Sequence, residues 1–253
     1  MAEIDDMKTQ METSERTQNM EPNIDYHVDH DSRFEVSESA DYGLEKSNYE
    51  HRGYKGQDLR EFRSEREGEF IEPMSRSFVV EKFDDPSRMV EHINPRYEDD
   101  PSYQDLRSYQ VNCADCARCV ERTWRGSHEE AAGRMPRLDE NGTYVPHGEQ
   151  SSMTEEWAGE SFAPVPVDSL LSKTLLESGH GSSAIIHSTW ERDAQQKGGG
   201  HAYNVVNYHG GLRVLDGQTG ESFDWEPGAI HPSLGRDPKH MAMAWNAEGE
   251  RIW

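Results

Sequence analysis

The stretch Asn112 to Gly126, NCADCARCVERTWRG, decides how the chain is read. Its spacing predicts one helix. Cys116, Val120 and Trp124 recur at every fourth position with Ala117 beside them, which lines up a single apolar stripe. Asp115 lies in the first turn, where a negative charge suits the positive end of the helix dipole, and Arg122 and Arg125 lie in the last turn, where cations suit the other end. Glu121 and Arg125 form a favourable pair four residues apart, and Gly126 supplies a left-handed stop. Asn112 is the expected N-cap. Cys113 then takes the first helical position, where backbone N–H groups point outward without partners and favour a thiolate over a thiol. A sulfur placed there is a usable nucleophile. Cys113, Cys116 and Cys119 are equally suited, as small apolar groups, to burial in a core, so the helix alone leaves both readings open.

Working outward, composition limits the size of the folded part. Of 253 residues 33% are hydrophobic and the net charge is -23, a balance too polar to build a core from the whole length. Residues 1–75 read as an acidic, largely disordered arm, a solubilising spacer or a docking and delivery segment, and residues 76–253 as the folded domain. Within the arm, Leu59 to Phe70 could form a short charged helix with too few apolar positions to bury a face. The charge excludes nucleic acid and anionic membranes as main partners and leaves a basic partner open. Three cysteines confined to seven residues cannot build a disulfide framework. The first ten residues, MAEIDDMKTQ, show no secretory signal, and no stretch approaches the roughly 20 apolar residues of a membrane helix. The expectation is a soluble protein without membrane insertion, cytoplasmic in its producer or exported by a route that uses no N-terminal signal peptide.

Order is expected to begin at the apolar cluster Phe78, Val79, Val80 and Phe83, followed by Met89, Val90 and Ile93. Ile93-Asn94-Pro95 forces an extended residue before the proline, and the chain then runs as a loop to Gln110. After Gly126, glycines and prolines punctuate a polar surface excursion or linker, with a short helix expected near Glu129 to Ala132 and a turn at Asn141-Gly142. Asp168 should cap a second helix carrying Leu170, Leu171, Leu175 and Leu176 on one face and stopped by Gly179. The last third reads as antiparallel sheet, with strands over 182–190, 200–207, 212–216 and 241–245. The fold class is therefore α+β.

The hairpin holds a second constellation, GGGHAYN followed by LDGQTG. A four-residue Tyr208 to Gly211 turn pairs Asn207 with Leu212, which places His201 opposite Gln218 with Asp216 on the diagonal, all on one face. Glycines 198–200 should leave the histidine exposed. A histidine beside a carboxylate is structural in many proteins. It is also the base-and-orienter half of a nucleophilic triad.

The segments INPRY, YQVNCADC, ERTWRG, GGGHAYNVVN and VLDGQTG, in that order, resemble the papain fold toxin domain of bacterial polymorphic toxins and related mobile-element proteins, predicted to be a glutamine deamidase. The resemblance covers residues 91–225 and not the arm. It implies a papain-like cysteine hydrolase fold with the nucleophile helix packed on an antiparallel sheet. By position it makes Cys113 the nucleophile, His201 the general base and acid, and Asp216 the orienter of the histidine. Gln218 and Asn112 become candidates for oxyanion or substrate contact. Cys119 departs from the family pattern, which has a small apolar residue there, and Cys116, one turn along the same face, is the alternative nucleophile. The implied partners are a target protein bearing a reactive glutamine and an immunity protein, with no cofactor and no metal, acting as a toxin or effector.

Three other readings stay open. The same machinery would serve a papain-like cysteine protease or a transglutaminase. An inactive binding or virion-associated protein could retain the fold. A zinc-binding structural module could use Cys113, Cys116 and Cys119 with His128, although a three-residue repeat along a helix turns the third sulfur away from the first.

Overall fold

The computed structural model describes residues 44, 47–52, 70–71, 78–98, 107–226 and 231–253. Most of the arm read into residues 1–75 lies outside the described residues, as does the helix expected over 59–70 apart from Phe70. The described part of the arm is not a free spacer, because Leu44, Asn48, Tyr49 and Arg52 are buried.

In chain order, a single turn α1 (Asn48–His51) precedes the short strands β1 (Phe70–Ile71) and β2 (Phe78–Val79) and the helix α2 (Pro86–Val90). A 3-10 turn over Ser108–Gln110 leads into α3 (Cys113–Trp124). Four more short strands follow: β3 (Ser127–His128), β4 (Gly133–Arg134), β5 (Arg137–Leu138) and β6 (Tyr144–Val145). Next come α4 (Ser151–Ala158), β7 (Ala163–Val165) and α5 (Asp168–Ser178). The chain ends in β8 (Ser183–Trp190), β9 (Gly199–Tyr208), β10 (Gly211–Asp216), β11 (Glu221–Asp224) and β12 (Lys239–Trp245).

Six strands form one antiparallel sheet in the order β11-β10-β9-β8-β12-β7. Alternation along the strands covers both its faces. Tyr203 and Val205 of β9 join Ala184, Ile186, Ala242 and Ala244 in a core shared with Leu171 and Leu175 of α5. Ala202, Ile185 and Met243 pack on the opposite face with Ala114 and Ala117 of α3 and Trp157 of α4. Cys116, Cys119, Val120 and Trp124 continue that contact toward Val206, Leu215, Val90 and Ile93. Burial of side chains the size of Val120 is worth about 1.5–3 kcal/mol each, so this stripe anchors α3 on the sheet. Trp124 also donates its indole N–H to Gly181 O at 3.0 Å.

The β9–β10 hairpin closes through His209 (φ 51°) and Gly210 (φ 87°), the conformation a two-residue hairpin loop needs. Asn207 pairs with Leu212 as the parity argument requires. Other expectations are corrected. No helix forms over Glu129 to Ala132, because Ala131 N–H donates to Ile93 O and Ala132 N–H to Asp115 Oδ2, both at 2.7 Å, instead of closing a turn. The helix in this region is α4, whose few apolar positions gave no period to read. Asp168 does not cap α5; Val167 takes that position without a side-chain bond. Leu171 and Leu175 are buried while Leu170 and Leu176 are exposed, since only the pair four apart faces the sheet. Phe78 and Val79 are exposed rather than part of a first core.

Candidate active site

Helix α3 begins at Cys113 with Asn112 as the residue before it, but the Asn112 side chain makes no capping bond. Its amide donates instead to Asn94 Oδ1 at 3.2 Å and Ala132 O at 3.0 Å, and its Oδ1 accepts from Gln218 Nε2 at 3.2 Å. Asn94 in turn donates to Tyr109 O and Gln218 O, each at 2.9 Å. This amide network pins the loop before α3, the start of α3 and the turn after β10 together. Asn112 is fully buried in it.

Cys113 is partly exposed, whereas Cys116 and Cys119 are buried. Cys116, the alternative nucleophile, has no exposed surface, and burial, followed by the Asp115 charge, pushes its thiol well above the ordinary range. Cys119 accepts hydrogen bonds from Asn48 and Arg52 within the same sealed layer. The three sulfurs do not converge, which removes the zinc module built on them. Among the described residues, the group of donors that could hold a metal is His201, Asp216 and His231, within 4.8 Å of one another.

Cys113 lines a cavity of about 310 Å³ together with Glu149, Phe162, His187, His201 and Gln218. His201 stands near the open end of β9, and its Nε2 bonds to Asp216 Oδ2 at 2.9 Å. Contrary to the reading of its flanking glycines, His201 is buried. Gly199 serves a different contact, the packing of the Trp190 indole, which a Cβ would meet at 2.5 Å. Burial alone would lower the His201 pKa. The Asp216 carboxylate that it hydrogen-bonds, together with the neighbouring Cys113 sulfur, outweighs burial and pushes it up to about 10.

Asp216 is fully buried, and burial would raise its carboxyl; the bond and charge of His201, then His231, outweigh this and hold it below the usual range. Its Oδ1 accepts from the backbone N–H groups of Gln218 at 3.0 Å and Thr219 at 3.4 Å. The chain leaves the β10 ladder after Asp216, so Gln218 sits in the turn before β11 and is not a strand partner of His201. It still reaches the cavity beside Cys113.

The remaining lining groups are close to neutral. Both oxygens of Glu149 are held by Arg118, at 2.7 and 2.9 Å. The His187 pKa is lowered by burial first and then by His201, so its imidazole is uncharged at neutral pH. The arrangement brings a helix-terminal sulfur and a proton-holding imidazole to one cavity, with a buried carboxylate bonded to the imidazole. Asn94, Glu149, His187 and His231 were missed by sequence reasoning; only Asn94 left a trace, as the residue before a proline. No curated protein and no solved structure matches the chain. Residues 111–221, which include Cys113, His201, Asp216 and Gln218, match the model of the family described as papain fold toxin 1, glutamine deamidase.

Proposed function

We propose that the chain is a cysteine-dependent acyl-transfer hydrolase that converts protein-bound glutamine to glutamate and acts as a toxin or effector. Cys113 is the nucleophile, His201 the general acid and base, and Asp216 the residue that orients His201. One observation carries this reading: the single partly exposed cysteine, the first residue of α3, lines the same cavity as a histidine that hydrogen-bonds a buried aspartate.

The roles follow from that geometry. Asp216 occupies Nε2 of His201, which leaves Nδ1 for the sulfur and for the leaving group. The Cys113 thiolate attacks the carboxamide carbon, and the oxyanion forms beside the backbone N–H groups at the start of α3. Gln218 gives one amide N–H to Asn112 and has its second to offer the same oxygen. His201 protonates the departing ammonia, leaving a thioester on Cys113. Water activated by the neutral His201 then hydrolyses it, and glutamate is released. Glu149, neutralised by Arg118, and uncharged His187 present no net charge to a side-chain amide. The net charge of -23 favours a target whose surface around the glutamine is basic, or a basic neutralising partner.

Incubation of the full chain with a blocked glutamine dipeptide and with candidate proteins tests the reading. Ammonia release and conversion of Gln to Glu by mass spectrometry are expected from the parent and not from Cys113→Ala. Equal conversion by both proteins would remove Cys113 from the reaction.

A further inference from the structure

His231 lies outside the family-matched segment, yet it is 2% exposed and packs its ring against Tyr203 and His201, with centroids at 4.5 and 5.2 Å. Ser233 N–H donates to its Nδ1 at 3.1 Å, which makes Nδ1 the acceptor and leaves the ring proton on Nε2. That Nε2 makes no hydrogen bond among the described residues, although it is buried and stands 3.6 Å from Asp216 Oδ2. A buried donor without an acceptor is costly, and the nearest acceptor is the carboxylate oxygen that also holds His201.

We infer that His231 is a positioning residue: its Nε2–H closes onto Asp216 Oδ2 and holds the carboxylate in line with His201 as the His201 proton moves toward the leaving group. The inference rests on the catalytic reading above. The two Oδ1 bonds from the backbone of Gln218 and Thr219 fix one side of the carboxylate, and His231 with Ser233 Oγ, at 3.5 Å from Oδ2, supplies the other. His231 touches neither substrate nor sulfur, so it acts through Asp216.

The test is the rate at which iodoacetamide alkylates Cys113 in the full chain at neutral pH, with Cys113→Ala as the blank. Buried Cys116 and Cys119 do not compete. His231→Gln keeps an N–H at the reach of Nε2, whereas His231→Phe keeps only the ring and its packing. The positioning role predicts that Phe slows alkylation about ten-fold or more, the loss of one hydrogen bond to a carboxylate, and that Gln stays within about two-fold of the parent. A purely packing role predicts the reverse order, and Phe equal to or faster than Gln overturns the inference. His231→Asn, which can accept from Ser233 but cannot reach Asp216, replaces Phe if the latter does not fold. Failure of both to fold would make the residue structural and also overturn it. Unchanged alkylation in His201→Ala would overturn the catalytic reading itself, whatever the His231 variants do.

Discussion

Asp216, with Cys113, turns an ordinary imidazole into one whose pKa is pushed up to about 10, against burial. Asp216→Asn removes one of the two groups that oppose desolvation and leaves Cys113 as the other, so the His201 pKa should fall well below about 10. The alkaline limb of a pH–rate profile should move down with it, and kcat should drop by about 10²–10⁴. Cys116→Ala should leave kcat within about two-fold, because its sulfur faces the apolar layer and not the cavity. At this scale the place of Cys113 at the start of α3 and the nearness of His201 to Asp216 were legible, because helix position and strand parity are local rules. Gln218 was only half legible, since parity assumes a strand and the chain turns after Asp216. His231 was not legible at all: it follows β11 by several residues with no period, and its partner is set by tertiary packing.

Helix α3 was read as carrying a single apolar stripe. Its polar face is in fact buried as well. Asp115 was assigned only a dipole role, but its Oδ1 accepts from Arg52 Nε at 2.8 Å and from Asn48 and Arg118 at 3.0 Å, while Oδ2 takes Ala132 N–H. Sequence could not place Asn48 and Arg52 there, because they lie more than sixty positions upstream in a stretch without hydrophobic period. Breaking one partner from a buried ion pair costs about 3–5 kcal/mol, so Arg52→Ala should lower the urea-unfolding free energy by an amount of that order. Gly217 makes the other tight contact with α3: a Cβ would meet Val120 Cγ2 at 2.6 Å and Cys116 O at 3.1 Å. Gly217→Ala should cost about 1–3 kcal/mol in the same measurement and shift the turn that carries Gln218.

Across the whole molecule, the α+β layering was legible from a helical period followed by alternating strands, and the long middle region was not, because its short ribbons and α4 take their shape from partners elsewhere in the chain. The same packing sets the response to pH. His201 is raised, so its contribution to stability is complete below about pH 6.5 and is lost as pH rises through about 10, where the folded state binds more protons than the unfolded one. His128 and His231 are lowered by burial to about 4, so their contribution is complete above about pH 6.5 and is lost as pH falls toward 4. Thermal melting should therefore peak near pH 6.5, with Asp216→Asn flattening the alkaline side. The central claim is that sulfur, imidazole and carboxylate act as one unit, and the measurement that reaches it most directly is the rate of ammonia release by the parent, Cys113→Ala, His201→Ala and the double variant. Each single change should lower the rate by about 10³ or more, with the double variant no slower than either single one. Independent, additive losses, or substantial activity in Cys113→Ala, would contradict it.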